Sequence, residues 1–261
     1  MPIEYKYIVP EHKLDSLRAS LKPFLTSDKF SVHREVEEYT VRSIYFDDNH
    51  FKAYYEKIEG LLERKKIRIR GYNEPTDTDI VFLEIKSKVK NTIKKRRAPA
   101  HFEHLNQLMR SADFREYIIR KPGQEKPILD AEAFFFQVYR FNMKPVVLVT
   151  YDREAYFCHF DPSLRVTLDK KVRGKIFPTL NELYDDNLVI TDPGYFILEV
   201  KFPKTLPFWM IEIIHSFNLM RTTYSKYCRT VYRHLGQFPD KPGMYVAGEG
   251  QKRGLVYVPG L

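Results

Sequence analysis

The alternation of apolar and charged positions is the strongest signal in the chain. In Lys66-Ile67-Arg68-Ile69-Arg70, isoleucines and cations take turns, the period-two signature of a strand with one apolar and one charged face. Glu84-Ile85-Lys86 repeats the arrangement after the β-rich lead Ile80-Val81-Phe82-Leu83. Lys95 and Arg97 share a face of the next candidate strand, and Tyr151-Asp152-Arg153, Arg165-Val166-Thr167-Leu168-Asp169 and Glu199-Val200-Lys201 continue the pattern. Strands are predicted at 3–9, 39–46, 62–72, 80–88, 91–100, 145–157, 163–170, 172–177, 186–191 and 194–202. Leu14, Leu17 and Leu21 predict a helix over 11–21, and a short helix over 50–58 is stopped by Gly60. The stretch 102–141 reads as helical segments broken at Pro122-Gly123 and around Pro127, and 207–217 and 223–235 as further helices. From Gly236 onward, six glycines and three prolines in 26 residues predict a tail or loop rather than a packed element.

A sheet with one charged face must turn that face to water or enclose it. Closure into a barrel would create an inward-facing basic lumen and remove the exposed edges; an open sheet with a wet face is the alternative that periodicity leaves standing. No convincing domain boundary or internal repeat interrupts the chain. The expected organisation is therefore one mostly antiparallel, β-rich body over 1–235 with helical decorations, followed by the 236–261 tail.

Composition sharpens this picture. The 261 residues are 43% hydrophobic, too apolar for a disordered chain, and the formal charge is +9. Between residues 64 and 97, twelve Lys or Arg face four acids, so nearly the whole excess sits in one stretch. Such a block suggests a polyanionic partner: nucleic acid, phosphates or an acidic membrane surface. A solvated basic face is the bland alternative. No apolar run reaches the length of a membrane helix, the N-terminus lacks a signal-peptide core, and Cys158 and Cys228 form no CxxC pair. These features predict a soluble intracellular protein. There is no GxxxxGK[ST] loop, dinucleotide fingerprint, HExxH or RNP-type motif, so no specific nucleic-acid reader is expected.

Nine short motifs follow one another along the chain: Glu4-Tyr5-Lys6-Tyr7, Ser43-Ile44-Tyr45-Phe46-Asp47, Lys66-Ile67-Arg68-Ile69-Arg70, Leu83-Glu84-Ile85-Lys86, Lys95-Arg96-Arg97, Tyr151-Asp152-Arg153-Glu154, Arg165-Val166-Thr167-Leu168-Asp169, Leu198-Glu199-Val200-Lys201 and Ser225-Lys226-Tyr227. In this order, from residue 4 to about residue 232, they resemble the VTC domain, the polyphosphate polymerase branch of the triphosphate tunnel metalloenzymes. The resemblance implies an α+β fold with an antiparallel, roughly eight-stranded tunnel barrel. It implies transfer of the γ-phosphoryl group of ATP to a growing polyphosphate chain with release of ADP, using Mn²⁺ or Mg²⁺. Lys66, Arg68, Arg70, Arg153, Arg165, Lys201 and Lys226 would act on the reacting phosphates. Lys6, Arg42, Lys86, Lys95, Arg97 and Ser225 would bind polyphosphate, pyrophosphate or triphosphate. Glu199 would lead as metal ligand, with Glu4 and Glu84 as helpers, and Asp169 would orient a cation or form a structural salt bridge. Hydrolytic tunnel enzymes carry Glu-x-Glu-x-Lys, whereas this chain has Pro2-Ile3-Glu4-Tyr5-Lys6; that departure favours transfer over hydrolysis. A tunnel triphosphatase and a non-catalytic polyphosphate or RNA binder are the alternatives. The expected location is cytoplasmic, with any membrane delivery left to a separate partner.

Overall fold

The strands run β1 (Ile3–Pro10), β2 (Leu25–Ser27), β3 (Tyr39–Asp47), β4 (Glu63–Tyr72), β5 (Ile80–Val89), β6 (Thr92–His101) and β7 (Lys144–Cys158). They continue as β8 (Arg165–Ile176), β9 (Val189–Ile190), β10 (Tyr195–Phe202) and β11 (Arg221–Thr222). Between them lie α1 (Leu14–Leu21), α2 (Lys52–Ile58), α3 (Leu105–Ser111), α4 (Phe114–Tyr117), α5 (Lys126–Arg140), α6 (Phe208–Ser216) and α7 (Lys226–Leu235). The computed structural model describes residues 3–28, 37–74, 79–90, 92–236, 244–246 and 255–257.

One antiparallel sheet holds eight long strands in the order β1-β10-β8-β7-β3-β4-β5-β6, with β11 added beside β1, β2 beside β7 and β9 beside β8. The fold is α+β with the expected strand number, but the barrel is not closed. The ladder path ends at β11 on one side and β6 on the other, so among the described residues a seam remains. Curvature still carries the two ends toward each other: Lys86 on β5 feels the charges of Glu4 and Lys6 on β1.

The alternation in β4 holds residue by residue. Ile67 and Ile69 are buried while Lys66, Arg68 and Arg70 are half-buried on the other face. The isoleucine face packs under α3, α4 and α5, where Ile128, Ala131, Phe134, Phe135 and Val138 meet Ile67, Ile69, Leu83 and Ile85. Burying each such large side chain is favourable by about 1.5–3 kcal/mol. Asp130 fixes α5 to the sheet, accepting the Arg97 amide at 3.1 Å and pairing with Arg96 at 3.4 Å. A second core joins β1, β8 and β10 to α1 and α6 through Tyr7, Leu17, Leu168, Leu198 and Ile213. A third lies on the charged side of the sheet, where Tyr45, Val149 and Tyr151 pack against Tyr54 of α2 and Tyr227, Cys228 and Val231 of α7. The helix α7 therefore fills part of the concavity, and charged side chains line the rest.

Three expectations change. The predicted strands 163–170 and 172–177 are one strand, β8; the apparent break is a register shift opposite Thr150 and Asp152, with Lys171 at φ +47°. The predicted strand 186–191 shrinks to Val189–Ile190. In the region expected to be an unpaired tail, β12 (Met244–Val246) pairs antiparallel with β13 (Leu255–Tyr257).

Candidate functional site: a cation-rich lumen

Two carboxylate hubs organise the lumen. In the first, the β1–β10 ladder sets Glu4 opposite Lys201 and Lys6 opposite Glu199. Lys6 Nζ lies 3.2 Å from Glu4 and 3.1 Å from Glu199, and Lys201 sits 3.6 Å from Glu4 and 3.8 Å from Glu199. Lys226, delivered by the first turn of α7, is 3.1 Å from Glu199 and also pairs with Asp169. Arg153 grips Asp169 with two donors at 2.6 and 2.7 Å and reaches Glu199 at 3.8 Å. Burial alone would raise the Glu199 carboxyl, but Lys226, Lys6, Arg153 and Lys201 hold it well below the usual carboxylate range. Glu199 and Asp169 are thus ionised, buried counter-ions.

In the second hub, Glu84 on β5 collects Arg68 at 2.7 Å, Arg97 at 3.3 Å and Arg70 at 3.8 Å. Arg68 also donates to the Tyr45 hydroxyl at 3.1 Å, and Arg70 to Ser43 at 3.2 Å. Burial opposes ionisation of the Tyr45 phenol, yet Arg68, Lys66 and Arg70 pull it down to about 7. Tyr151 lies against the first hub, with Lys226 4.5 Å and Arg153 5.1 Å from its ring centre.

Lys66 and Lys86 lie side by side across the β4–β5 ladder. Lys66 Nζ donates to Ser225 Oγ at 3.1 Å, and Ser225 caps α7 by accepting the Cys228 amide at 3.4 Å. Burial pushes both lysines below the ordinary amine range; for Lys86 the pull of Glu4 is outweighed by burial with Lys6, Lys66 and Lys201, to about 8. Lysine neutralises readily when buried, which is what like charges in one lumen produce.

Most of the residues named from sequence are therefore brought together: Lys6, Lys66, Arg68, Arg70, Lys86, Arg153, Lys201, Lys226 and Ser225. Two cations stand at the rim. Arg165 pairs with Asp28 at 3.1 Å and lies over Phe157, and Arg97, nearly half exposed, lies 3.4 Å over the Phe82 ring. Lys95 is exposed on the outermost strand opposite Lys86. Arg42 is the correction. It is fully buried on the opposite face, bound by Asn73 and Asp185 carbonyls at 2.9 and 3.1 Å and by Glu74 and Asp186 at 2.6 and 2.9 Å. Its neighbours Ser43 and Tyr45 face the lumen, so the parity of β3 turns Arg42 away.

The three glutamates proposed for a metal are not brought to one place. Among the described residues no group of three or more His, Cys, Asp or Glu can hold an ion by itself, and Glu84 is committed to three guanidinium groups on the other hub. Glu4 and Glu199 lie together, sharing Lys6 and Lys201. Two carboxylates completed by phosphate oxygens suit Mg²⁺ or Mn²⁺. That donor pair fits the cation.

Sequence reasoning missed Tyr45, Tyr151 and Lys57. The first two alternate with Ser43 and Arg153 on charged faces, a signal hidden by their apolar rings. Lys57 belongs to α2, where strand alternation gives no warning; burial, with Arg64, Lys66 and Lys6, lowers its amine.

A curved, open antiparallel sheet whose concave face gathers more cations than carboxylates makes this an α+β protein with a cation-rich cavity. The chain belongs to the VTC domain family, whose profile matches residues 2–234. It is 28% identical over 153 residues to vacuolar transporter chaperone complex subunit 4 of Trypanosoma brucei brucei, covering 51% of this chain but only 19% of that protein. Among solved structures it is similar to a Hippeastrum protein described as revealing a dominant triphosphatase activity, at 14% identity and TM-score 0.46, covering 92% and 98% of the two chains. The PH1819 protein of Pyrococcus horikoshii OT3 aligns at 14% identity and TM-score 0.44, covering 88% and 98%. Among the described residues no helix is long and apolar enough to cross a membrane.

Proposed function

We propose that the protein is a polyphosphate polymerase that transfers the γ-phosphoryl group of ATP to the end of a polyphosphate chain in the cytoplasm. The observation that carries this reading is the convergence of Lys6, Lys66, Arg68, Arg70, Lys86, Arg153, Lys201 and Lys226 on one lumen whose facing carboxylates, Glu4, Glu84, Asp169 and Glu199, number half as many. An extended phosphoanhydride supplies the missing negative charge along its whole length.

Phosphoryl transfer rests on positioning and charge stabilisation more than on a protein nucleophile. A terminal oxygen of the acceptor attacks the γ-phosphorus, the bond to the β,γ-bridging oxygen breaks, and ADP leaves with that oxygen. Arg68, Arg70 and Arg153 offer planar forks to the nonbridging oxygens, while Lys66, Lys86 and Lys226 follow the chain as point charges. Ser225 adds a hydroxyl donor. Glu199 and Glu4 would hold the divalent ion, which when bound offsets charge on the phosphates. Asp169 pairs with both Arg153 and Lys226 and offsets their mutual repulsion.

The test is incubation with ATP, Mn²⁺ or Mg²⁺ and a pyrophosphate primer, following long-chain polyphosphate, ADP and free phosphate. Long chains with stoichiometric ADP support the reading. Free phosphate alone would replace it with a triphosphatase, and tight binding without turnover with a polyphosphate carrier.

A further inference from the structure

An open cleft of about 420 Å³ runs along the outer margin of β6, lined by Lys94, Lys95, Arg96, Lys126, Leu129 and Asp130. Four of these six residues are cations, and one carboxylate offsets them. That carboxylate, Asp130, is buried and anchored: it accepts the Arg97 amide at 3.1 Å, Arg96 Nη1 at 3.4 Å and the Lys126 ammonium. A strand and a helix thus hold Arg96 and Lys126 on one fixed acid. Lys94 has the same strand parity as Arg96, and Lys95 sits at the margin.

The cleft adjoins the lumen. β6 is the last strand of the sheet, and every residue from Thr92 to Arg97 is exposed. Lys95 lies opposite Lys86 in the ladder, and Arg97, whose amide donates to Asp130, also reaches Glu84 of the second hub at 3.3 Å. One strand therefore carries lumen cations on one face and cleft cations on the other, with only its own edge between them. A solvated basic surface needs neither a cleft nor a buried acid to hold its cations. The lining offers no aromatic ring on which a nucleobase could stack, and Leu129 is its one apolar side chain. What fits is a bare chain of phosphates. We propose, on the polyphosphate reading given above, that this cleft is a second polyphosphate-binding subsite, which holds a stretch of chain that has passed over the edge of β6 from the lumen. Tripolyphosphate, held by the lumen alone, gains nothing from the cleft, whereas a long chain gains a second grip on the same molecule.

Equilibrium binding by the full chain at low salt, without ATP or metal, tests this with long-chain polyphosphate against tripolyphosphate. Lys94→Gln with Lys126→Gln should weaken long-chain binding about fivefold, since each exposed charge pair contributes a factor of about 1.5 to 5. Tripolyphosphate affinity should stay unchanged, which also shows that fold and lumen are intact. Leu129→Lys adds a cation at the cleft and should tighten long-chain binding alone. Excess orthophosphate should leave the difference between parent and double variant in place. Less than a twofold loss in the double variant, an equal loss for tripolyphosphate, no gain from Leu129→Lys, erasure by orthophosphate, or single-stranded RNA binding more tightly than polyphosphate with the same sensitivity to the variants would each overturn the assignment. Absence of turnover would sink the transfer reaction but not the cleft; length-independent binding would sink the cleft but not the reaction.

Discussion

Asp169 tests the lumen as an electrostatic object. It is fully buried, holds Arg153 through two short donors and also pairs with Lys226. Replacing it by Asn keeps the shape but strands two buried cations beside Lys6 and Lys201, with Glu199 as their remaining counter-ion. Breaking a buried pair by removing one partner costs about 3–5 kcal/mol. For a domain of this size each kcal/mol moves the melting temperature by about 2–4 °C, so Asp169→Asn should melt about 6–20 °C lower at neutral pH. Tripolyphosphate should return much of that loss, because an anion in the lumen replaces the missing charge. A ligand at 100 times its dissociation constant stabilises by about 2.7 kcal/mol, and the gain should be larger in the variant than in the parent. The assay is differential scanning fluorimetry at low salt, with and without tripolyphosphate. The parent's advantage also has a pH sign. Arg153 and Lys226 outweigh burial and hold the Asp169 carboxyl below 3.8, so its contribution is present above that value and is lost as pH falls through the lower folded value. A variant that melts within about 1 °C of the parent, or gains no more from tripolyphosphate, would refute the charge-balance argument.

Further expectations follow from the same geometry. Lys86 is lowered to about 8 from 10.5, so folding stability should rise between those pH values as its strained charge is released, while tripolyphosphate affinity falls; Lys86→Arg should flatten both profiles in calorimetry. Arg42→Ala should cost about 2–5 kcal/mol in chemical denaturation, because it empties a fully buried site and leaves the Asn73 and Asp185 carbonyls without their donor, yet leave the tripolyphosphate affinity of the folded fraction unchanged. Arg68→Ala should show the opposite split, and equal effects of the two on binding would place Arg42 in the lumen after all. Glu199→Gln should abolish polyphosphate synthesis while keeping or tightening anion binding by isothermal titration, since it removes negative charge from an anion site; parallel loss of both would contradict a metal-ligand role.

The charged-face alternation of β4, β5 and β10 was legible in the sequence because over residues 66–70, 83–86 and 198–201 apolar and ionic positions alternate without exception. Arg42 shows the limit of that logic. Along Tyr39–Asp47 both faces of β3 are buried, so hydrophobicity does not reveal the parity of the strand, and one cation was assigned to the wrong side. The break read at residues 170–172 was a real local signal, a bulge, but a bulge bends a strand without ending it. Closure was illegible for another reason: whether the first and last strands meet depends on twist accumulated over the whole sheet, which no local pattern encodes. Ser225 and Lys226 entered only through the motif resemblance, since a helix first turn offers no alternation to read.

The pairing of β1 with β10 sets an order on biosynthesis. The strand β1 finds its ladder partner only after residues 195–202 have followed it from the ribosome, about 10–40 s later at ordinary elongation rates. Lys6 then waits a little longer for the Tyr224 carbonyl that accepts its ammonium at 3.3 Å. The β3–β6 half with α3, α4 and α5 can bury its apolar face meanwhile, but the cation-rich cavity is completed only once β10 and α7 have joined it, so a chain truncated before them lacks that cavity.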